Sequence, residues 1–344
     1  MHLHIRTSAI LLVPAFAVLA VLPCAAQTSV QSGKIVVTLL GTGGPELTPQ
    51  RSGESTLVQT SGQSLLFDAG RNTLDNLYRS RILPQTITRI FLTHLHSDHI
   101  AGLPDLWITP WFLLGRTASL EVWGPPGTQS MIDGMRQMYG HDLEHRPNGA
   151  LLRQALDITV HEIQPGVVYR KDGVTVTATA VEHAEGNPAF AYRIDSAGYS
   201  VFLTGDCTYT SALAVAARGA DVIIANVAAA TPALEATPRL QPILAKLLTP
   251  EQDARLFLTS QPRLAIFSHI VKKDLPGASG DEKILARTRA AGYRGPLQMG
   301  YDHTRIAVGK TVRIERIAAP ITDLDGPNVR LESAPAHDPA IKRP

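Results

Sequence analysis

The chain has 344 residues, 44% of them hydrophobic and 18% charged, with a formal net charge of +2. That is ordinary globular composition, with room for one large domain or two modest ones. No basic stripe or long charge run is present, so composition does not indicate a nucleic-acid groove.

The N-terminus reads as an export signal. His2, His4 and Arg6 precede an apolar run from Ala9 to Leu22, and Cys24-Ala25-Ala26 offers small residues for cleavage before Gln27. Residues 1–26 are therefore expected to be removed, leaving a secreted or periplasmic protein without a membrane span. Cys207 would then be the lone thiol, so no internal disulfide is expected.

A strand at 34–40 and another at 64–67 flank the glycine turn Gly41-Thr42-Gly43-Gly44-Pro45. A helix at 73–81, a strand at 89–93, a helix from 98 through Leu106, a strand at 120–124 and a helix at 127–139 follow. Met131, Met135 and Met138 in that last helix read as core packing. Strands are expected at 157–163, 174–181, 189–195 and 199–205, then a helix at 209–218 and a strand at 221–227. Thr249-Pro250-Glu251-Gln252 starts a helix to about 259, with a cap and a first-turn proline. A strand at 263–268, a helix at 281–291 and strands at 303–308 and 311–317 complete the pattern. Beyond about 320 the chain is rich in Pro, Asp and Ala without periodicity and reads as a loose tail, 321–344. Helices and strands mix without a linker, so residues 27–320 read as one α/β domain.

The chemistry concentrates in Thr93-His94-Leu95-His96-Ser97-Asp98-His99. Imidazoles suit zinc and similar first-row metals, and the carboxylate adds a hard anionic ligand. Residues i and i+2 cannot share one helix face, so this His-x-His-x-Asp-His run reads as an irregular strand-to-helix turn that can wrap two neighbouring metals. Three further ligand types directly follow apolar strands: His183, Asp206 and His269.

These motifs resemble the metallo-β-lactamase superfamily, and within it the ribonuclease Z and arylsulfatase-like branch. Gly41 through Pro45, Phe67-Asp68-Ala69-Gly70, Phe91 through Leu106, Pro188 through Arg193, Thr204-Gly205-Asp206, Phe267-Ser268-His269 and Gly300-Tyr301-Asp302 carry the resemblance, which spans roughly 34–317. It implies a four-layer αββα sandwich with two Zn2+ ions at one sheet edge, other divalent transition metals being compatible. His94, His96 and His183 would hold one metal, Asp98, His99 and His269 the other, and Asp206 would bridge them. Asp68 would orient the cluster, and Asp98 would also position the attacking water as a catalytic group. A hydroxide shared by the metals would be the nucleophile. A homodimer is compatible with the resemblance.

Two departures from ribonuclease Z shape the expected substrate. A His-Glu pair follows the bridging aspartate's neighbouring strand in that family, where this chain has Ala225-Asn226-Val227-Ala228. Only 22 residues separate His183 from Asp206, too few for an RNA-gripping arm. His303 is then a candidate proton donor, and Arg146, in the segment Tyr139 through Arg146, a candidate partner for an anionic substrate. The expectation is an exported dinuclear-zinc hydrolase of small phosphate or sulfate esters, a phosphodiesterase or arylsulfatase, with no nucleic-acid partner. A lactonase or carboxylesterase, or a non-catalytic metal- or ligand-binding module, is the alternative.

Overall fold

The computed structural model describes residues 34–146 and 153–316. The expected export signal at 1–26 and tail at 321–344 lie outside the described residues. Among the described residues, eight strands form one sheet and seven form another. The first contains β1 (Ile35–Gly41), β2 (Ser55–Thr60), β3 (Gln63–Phe67), β4 (Arg89–Phe91), β5 (Leu120–Gly124) and β6 (Ile158–Glu162). The second contains β7 (Gly166–Lys171), β8 (Val174–Val181), β9 (Ala189–Ser196), β10 (Tyr199–Leu203), β11 (Val222–Ala230), β12 (Leu264–Lys273) and β13 (Leu297–Met299). The hairpin β14 (Thr304–Val308) and β15 (Val312–Arg316) returns to the first sheet, whose order is β15-β14-β1-β2-β3-β4-β5-β6.

Each sheet begins as an antiparallel meander and ends in parallel strands. The neighbours β3 to β6 run parallel in the first sheet, and β10 to β13 in the second. Parallel neighbours need a crossover, and helices supply it. These are α1 (Thr73–Arg79), α2 (Ser97–Ile100), α3 (Leu103–Phe112), α4 (Thr128–Met138) and α5 (Gly140–His145) in the first half. The second half has α6 (Ser211–Ala216), α7 (Pro232–Glu235), α8 (Gln241–Leu244), α9 (Pro250–Ser260) and α10 (Gly277–Ala290).

Period-two alternation builds the layers. Along β10, Val201 and Leu203 face the inter-sheet core while Phe202 faces α6 and α9. Along β4, Phe91 points between the sheets and Ile90 towards Leu77 and Leu106 of α1 and α3. Phe67, Phe91, Trp123 and His161 stack across β3 to β6, with centroids 5.0, 4.6 and 4.6 Å apart. Tyr192 joins the two sheets, its hydroxyl donating to the Leu92 carbonyl at 2.8 Å. The architecture is the αββα sandwich.

Several elements differ from the sequence reading. β2, β7, β13, α5, α7 and α8 were not anticipated, and β12 runs past His269 to Lys273. The helix expected from 98 through Leu106 is two helices, since Gly102 is pinned by its N–H to the Ala69 carbonyl at 2.8 Å. Of the methionine stripe, Met135 is buried, but Met138, the last residue of α4, is 66% exposed.

One core residue stands out against its surroundings. Asp253 in α9 is fully buried, and neither carboxylate oxygen has a partner. Burial, with Glu251 adding to it, pushes its pKa well above the usual carboxylate range. The carboxyl is therefore neutral in the fold, and its unfolded pKa is about 3.9. Its contribution to stability is fully present below that unfolded value and is lost as pH rises through the raised folded value. Asp253→Ala is expected to be more stable than wild type by about 1–3 kcal/mol at pH 8, with the gap closing towards pH 4. Urea unfolding at both pH values checks this; a gap that does not change with pH would contradict it.

Candidate metal centre

The carboxyl ends of the parallel strands of both sheets meet at one edge, the place where open α/β sheets generally bind ligands. Asp68 follows β3, the histidine cluster follows β4, Asp206 follows β10 and His269 lies within β12; the antiparallel β8 ends just before His183. The structure brings all seven expected ligand side chains together there. Ligand atoms of His94, His96 and His183 lie within 4.8 Å of one another, as do those of Asp98, His99 and His269, and those of His94, His99 and Asp206.

Asp68 organises the cluster. Its Oδ1 accepts from the Thr93 N–H at 2.8 Å, and its Oδ2 accepts from Thr93 Oγ1 and His99 Nδ1, each at 2.8 Å. Because the Thr93 hydroxyl donates to Asp68, it must accept from His94 Nδ1, 3.0 Å away. His183 Nδ1 donates to the Lys246 carbonyl at 3.0 Å. These bonds place a proton on Nδ1 of three imidazoles and turn each Nε2 into the cluster, where that of His183 lies 3.2 Å from His96 Nδ1.

The convergence is a fit test for a cation. His94 Nε2, His99 Nε2 and Asp206 Oδ1 are buried without a hydrogen-bond partner. Asp206 Oδ2 lies 3.1 Å from His269 Nε2, 3.5 Å from His99 Nε2 and 3.7 Å from His183 Nε2. Asp98 Oδ2 lies 3.2 Å from His269 Nε2. Acceptors packed this closely repel one another unless positive charge sits among them. The titration directions agree. Burial alone would lower the His99 imidazole, but Asp206 and Asp68 hold it well above the ordinary histidine value. Burial would raise Asp206, yet His269 and His99 hold it far below the carboxylate range. His94 is driven well down by burial and then by His99. The donor set of imidazoles and carboxylates fits divalent transition metals.

Local backbone makes these directions possible. Asp68 and His269 both adopt left-handed conformations, φ 57° and 43°, which cost about 1–3 kcal/mol each. Gly70 permits a close approach, since a Cβ there would lie 2.4 Å from the Asp98 carbonyl oxygen. Gly186 does the same over His183, where a Cβ would meet the imidazole carbon at 2.1 Å.

Two other candidates have protein partners of their own. For His303, expected as a proton donor, these are Ser80 and Leu39. Its Nδ1 meets Ser80 Oγ at 2.8 Å and its N–H donates to the Leu39 carbonyl, so it braces the β1 end against the residue that caps α1. Arg146 is held bidentately by Asp142 and stacks over Phe112 at 3.9 Å, which satisfies it without an anionic substrate. Asn226, where a proton donor was sought, ties the Asp206 loop to the segment just before α9: its Nδ2 donates to the Gly205 carbonyl at 2.8 Å and its Oδ1 accepts from the Leu248 N–H at 2.9 Å. Cys207 is buried, and burial and Asp206 push its thiol up, so it packs rather than reacts.

Two contributors were not foreseen. The Lys246 carbonyl that fixes His183 is main chain and has no residue-type signature. Glu54 is buried beneath His269, and burial raises its carboxyl to about 7 against the lowering pull of His269 and Ser268. A lone acid in the otherwise uncharged run Gly53 through Ser61 was the signal available for it.

The model of the beta-lactamase superfamily domain matches residues 63–270. A protein named Ribonuclease Z from Mycobacterium bovis is 38% identical over 194 residues, 56% of this chain and 69% of its own length. A Ribonuclease Z of Mycolicibacterium gilvum is 33% identical over 279 residues, 80% of this chain and 96% of its own. The solved short form of human tRNase Z shares the fold with a TM-score of 0.60 at 20% identity, covering 83% of this chain and all of that one. Relatives named as ribonucleases overturn the expectation of a hydrolase of small phosphate or sulfate esters, its lactonase and binding-module alternatives, and the expectation of no nucleic-acid partner. The chain belongs to the metallo-β-lactamase superfamily, on its ribonuclease Z branch.

Proposed function

We propose that this metal-dependent hydrolase cleaves phosphodiester bonds of RNA, using two zinc ions held by the seven converging side chains. The observation that supports the substrate class is the 33% identity to a Ribonuclease Z across 96% of that protein's length. Divalent metals bound there supply Lewis acidity and make water acidic enough to attack phosphorus near neutral pH.

The chain's own groups do the rest. His94, His96 and His183 hold one ion, and Asp98, His99 and His269 the other. Asp206 lies against nitrogens of both groups and so fixes their spacing. Burial alone would raise the Asp98 carboxyl, but His269 and His99 together hold it below its ordinary value, so it stays ionised and orients the attacking water. Asp68 fixes the tautomer of His99 directly and that of His94 through Thr93. The five imidazoles with two carboxylates favour zinc over calcium or magnesium, which prefer all-oxygen sites.

The test uses purified, zinc-loaded protein with a transfer-RNA precursor and an unstructured RNA. Cleavage that a chelator abolishes and added zinc restores is the expected result. A fully metal-loaded protein that leaves every RNA intact would overturn the substrate assignment.

A further inference from the structure

We propose that Glu54 is a positioning residue that aims His269 at the metal held by Asp98, His99 and His269. The role rests on the ligand assignment above and adds a residue to it. Along β11 and β12 the ladder pairs Asn226 with Ser268 and then Val227 with Ile270, so His269 is skipped. A skipped residue is a β-bulge, which leaves its backbone unpaired and re-aims its side chain. At His269 the left-handed φ of 43° turns the imidazole out of the strand and onto Asp98 and Asp206.

Glu54 captures the group that the bulge frees. Its Oε2 accepts from the His269 N–H at 3.0 Å and from Ser268 Oγ at 2.6 Å, while Oε1 accepts from Thr56 Oγ1 at 3.1 Å. Glu54 stands immediately before β2, in the opposite sheet, so these bonds cross the sandwich at the metal edge. The same carboxylate lines a small cavity of about 20 Å3 with Asp68, Asp206, Asn226, Ser268 and His269, which puts it directly under the ligands. The Ile270 N–H donates to the Thr42 carbonyl at 3.0 Å, closing the bulge from the other side. Without an acceptor at Oε2, a buried N–H is left unpaired and the bulge has no reason to keep this shape.

Cobalt titration of the full chain, read by equilibrium dialysis and by visible absorption, separates this role from general support of the fold. Wild type is expected to take up two equivalents of Co2+. Glu54→Ala is expected to bind the first as wild type does and the second about 10–100-fold more weakly, with a changed absorption band for that ion. Glu54→Gln keeps an oxygen that accepts from His269 and is expected to restore most of the second affinity. If Glu54→Ala does not fold, Glu54→Asp, one methylene too short, carries the same expectation. Wild-type affinity at both sites in the Ala or Asp variant, or equal loss at both, would overturn the role of Glu54 alone. A wild type that binds no cobalt would overturn the ligand assignment and this role with it.

Discussion

Asp206→Ala is expected to lower RNA cleavage about 1000-fold and to reduce bound metal below two ions per chain. Metal Lewis acidity is worth several kcal/mol to a transition state, and each ~1.4 kcal/mol is about tenfold in rate. Asp206 is the carboxylate whose one oxygen reaches nitrogens of both outer ligand groups, at 3.1 Å from His269, 3.5 Å from His99 and 3.7 Å from His183. Its removal strips one negative charge from between two cations and leaves imidazoles facing one another. Elemental analysis and single-turnover cleavage measure the two effects, and circular dichroism reports that the fold survives. A variant with two metals and near-normal turnover would contradict the bridging role.

Asp68 supplies the second large effect, and the choice of substitution reveals its cause. Three donors point at its two oxygens: the Thr93 N–H, the Thr93 hydroxyl and His99 Nδ1. Asp68→Asn keeps the shape and tolerates the left-handed backbone, but it offers one acceptor oxygen for three donors. An amide N–H facing His99 Nδ1 forces the imidazole proton onto Nε2, the atom turned into the cluster. The wrong tautomer cannot ligate, so metal affinity is expected to fall about 10–100-fold although the fold is retained. Asp68→Ala is expected to lose affinity to a similar degree and stability as well, by about 1–3 kcal/mol for the buried donors left unpaired. Metal competition titrations with denaturant unfolding distinguish them; an Asn variant with wild-type affinity would contradict tautomer control.

Much of this centre is written in residue types at strand ends. His-x-His-x-Asp-His stands out because few other structural roles need four such side chains in six residues. His183, Asp206 and His269 were legible because each ends an apolar run. The less visible parts are those where polar residues are buried by pairing. Ser55, Thr56 and Thr60 of β2 are buried although polar, Thr60 by donating to the Lys34 carbonyl and accepting from the Ser196 hydroxyl, so the hydrophobic alternation that marks a strand is blurred there. β12 looked finished at His269 because a bulge hides its continuation. The partners of His303 and Arg146 were not legible, since neighbours more than 200 residues away for one and four residues away for the other decide them. Substrate class was the least legible feature. A net charge of +2 and the short spacing between His183 and Asp206 argued against nucleic acid, but overall charge carries no information on where charges sit in the fold.

The proposed centre is one cage of seven side chains for two cations. Anomalous diffraction at the zinc edge from crystals of the zinc-loaded protein tests it most directly. Two peaks are expected, one among His94, His96 and His183 and one among Asp98, His99 and His269, with Asp206 touching both. A map with no peak in the cage, or with zinc bound elsewhere while the cage residues stay apart, would contradict it.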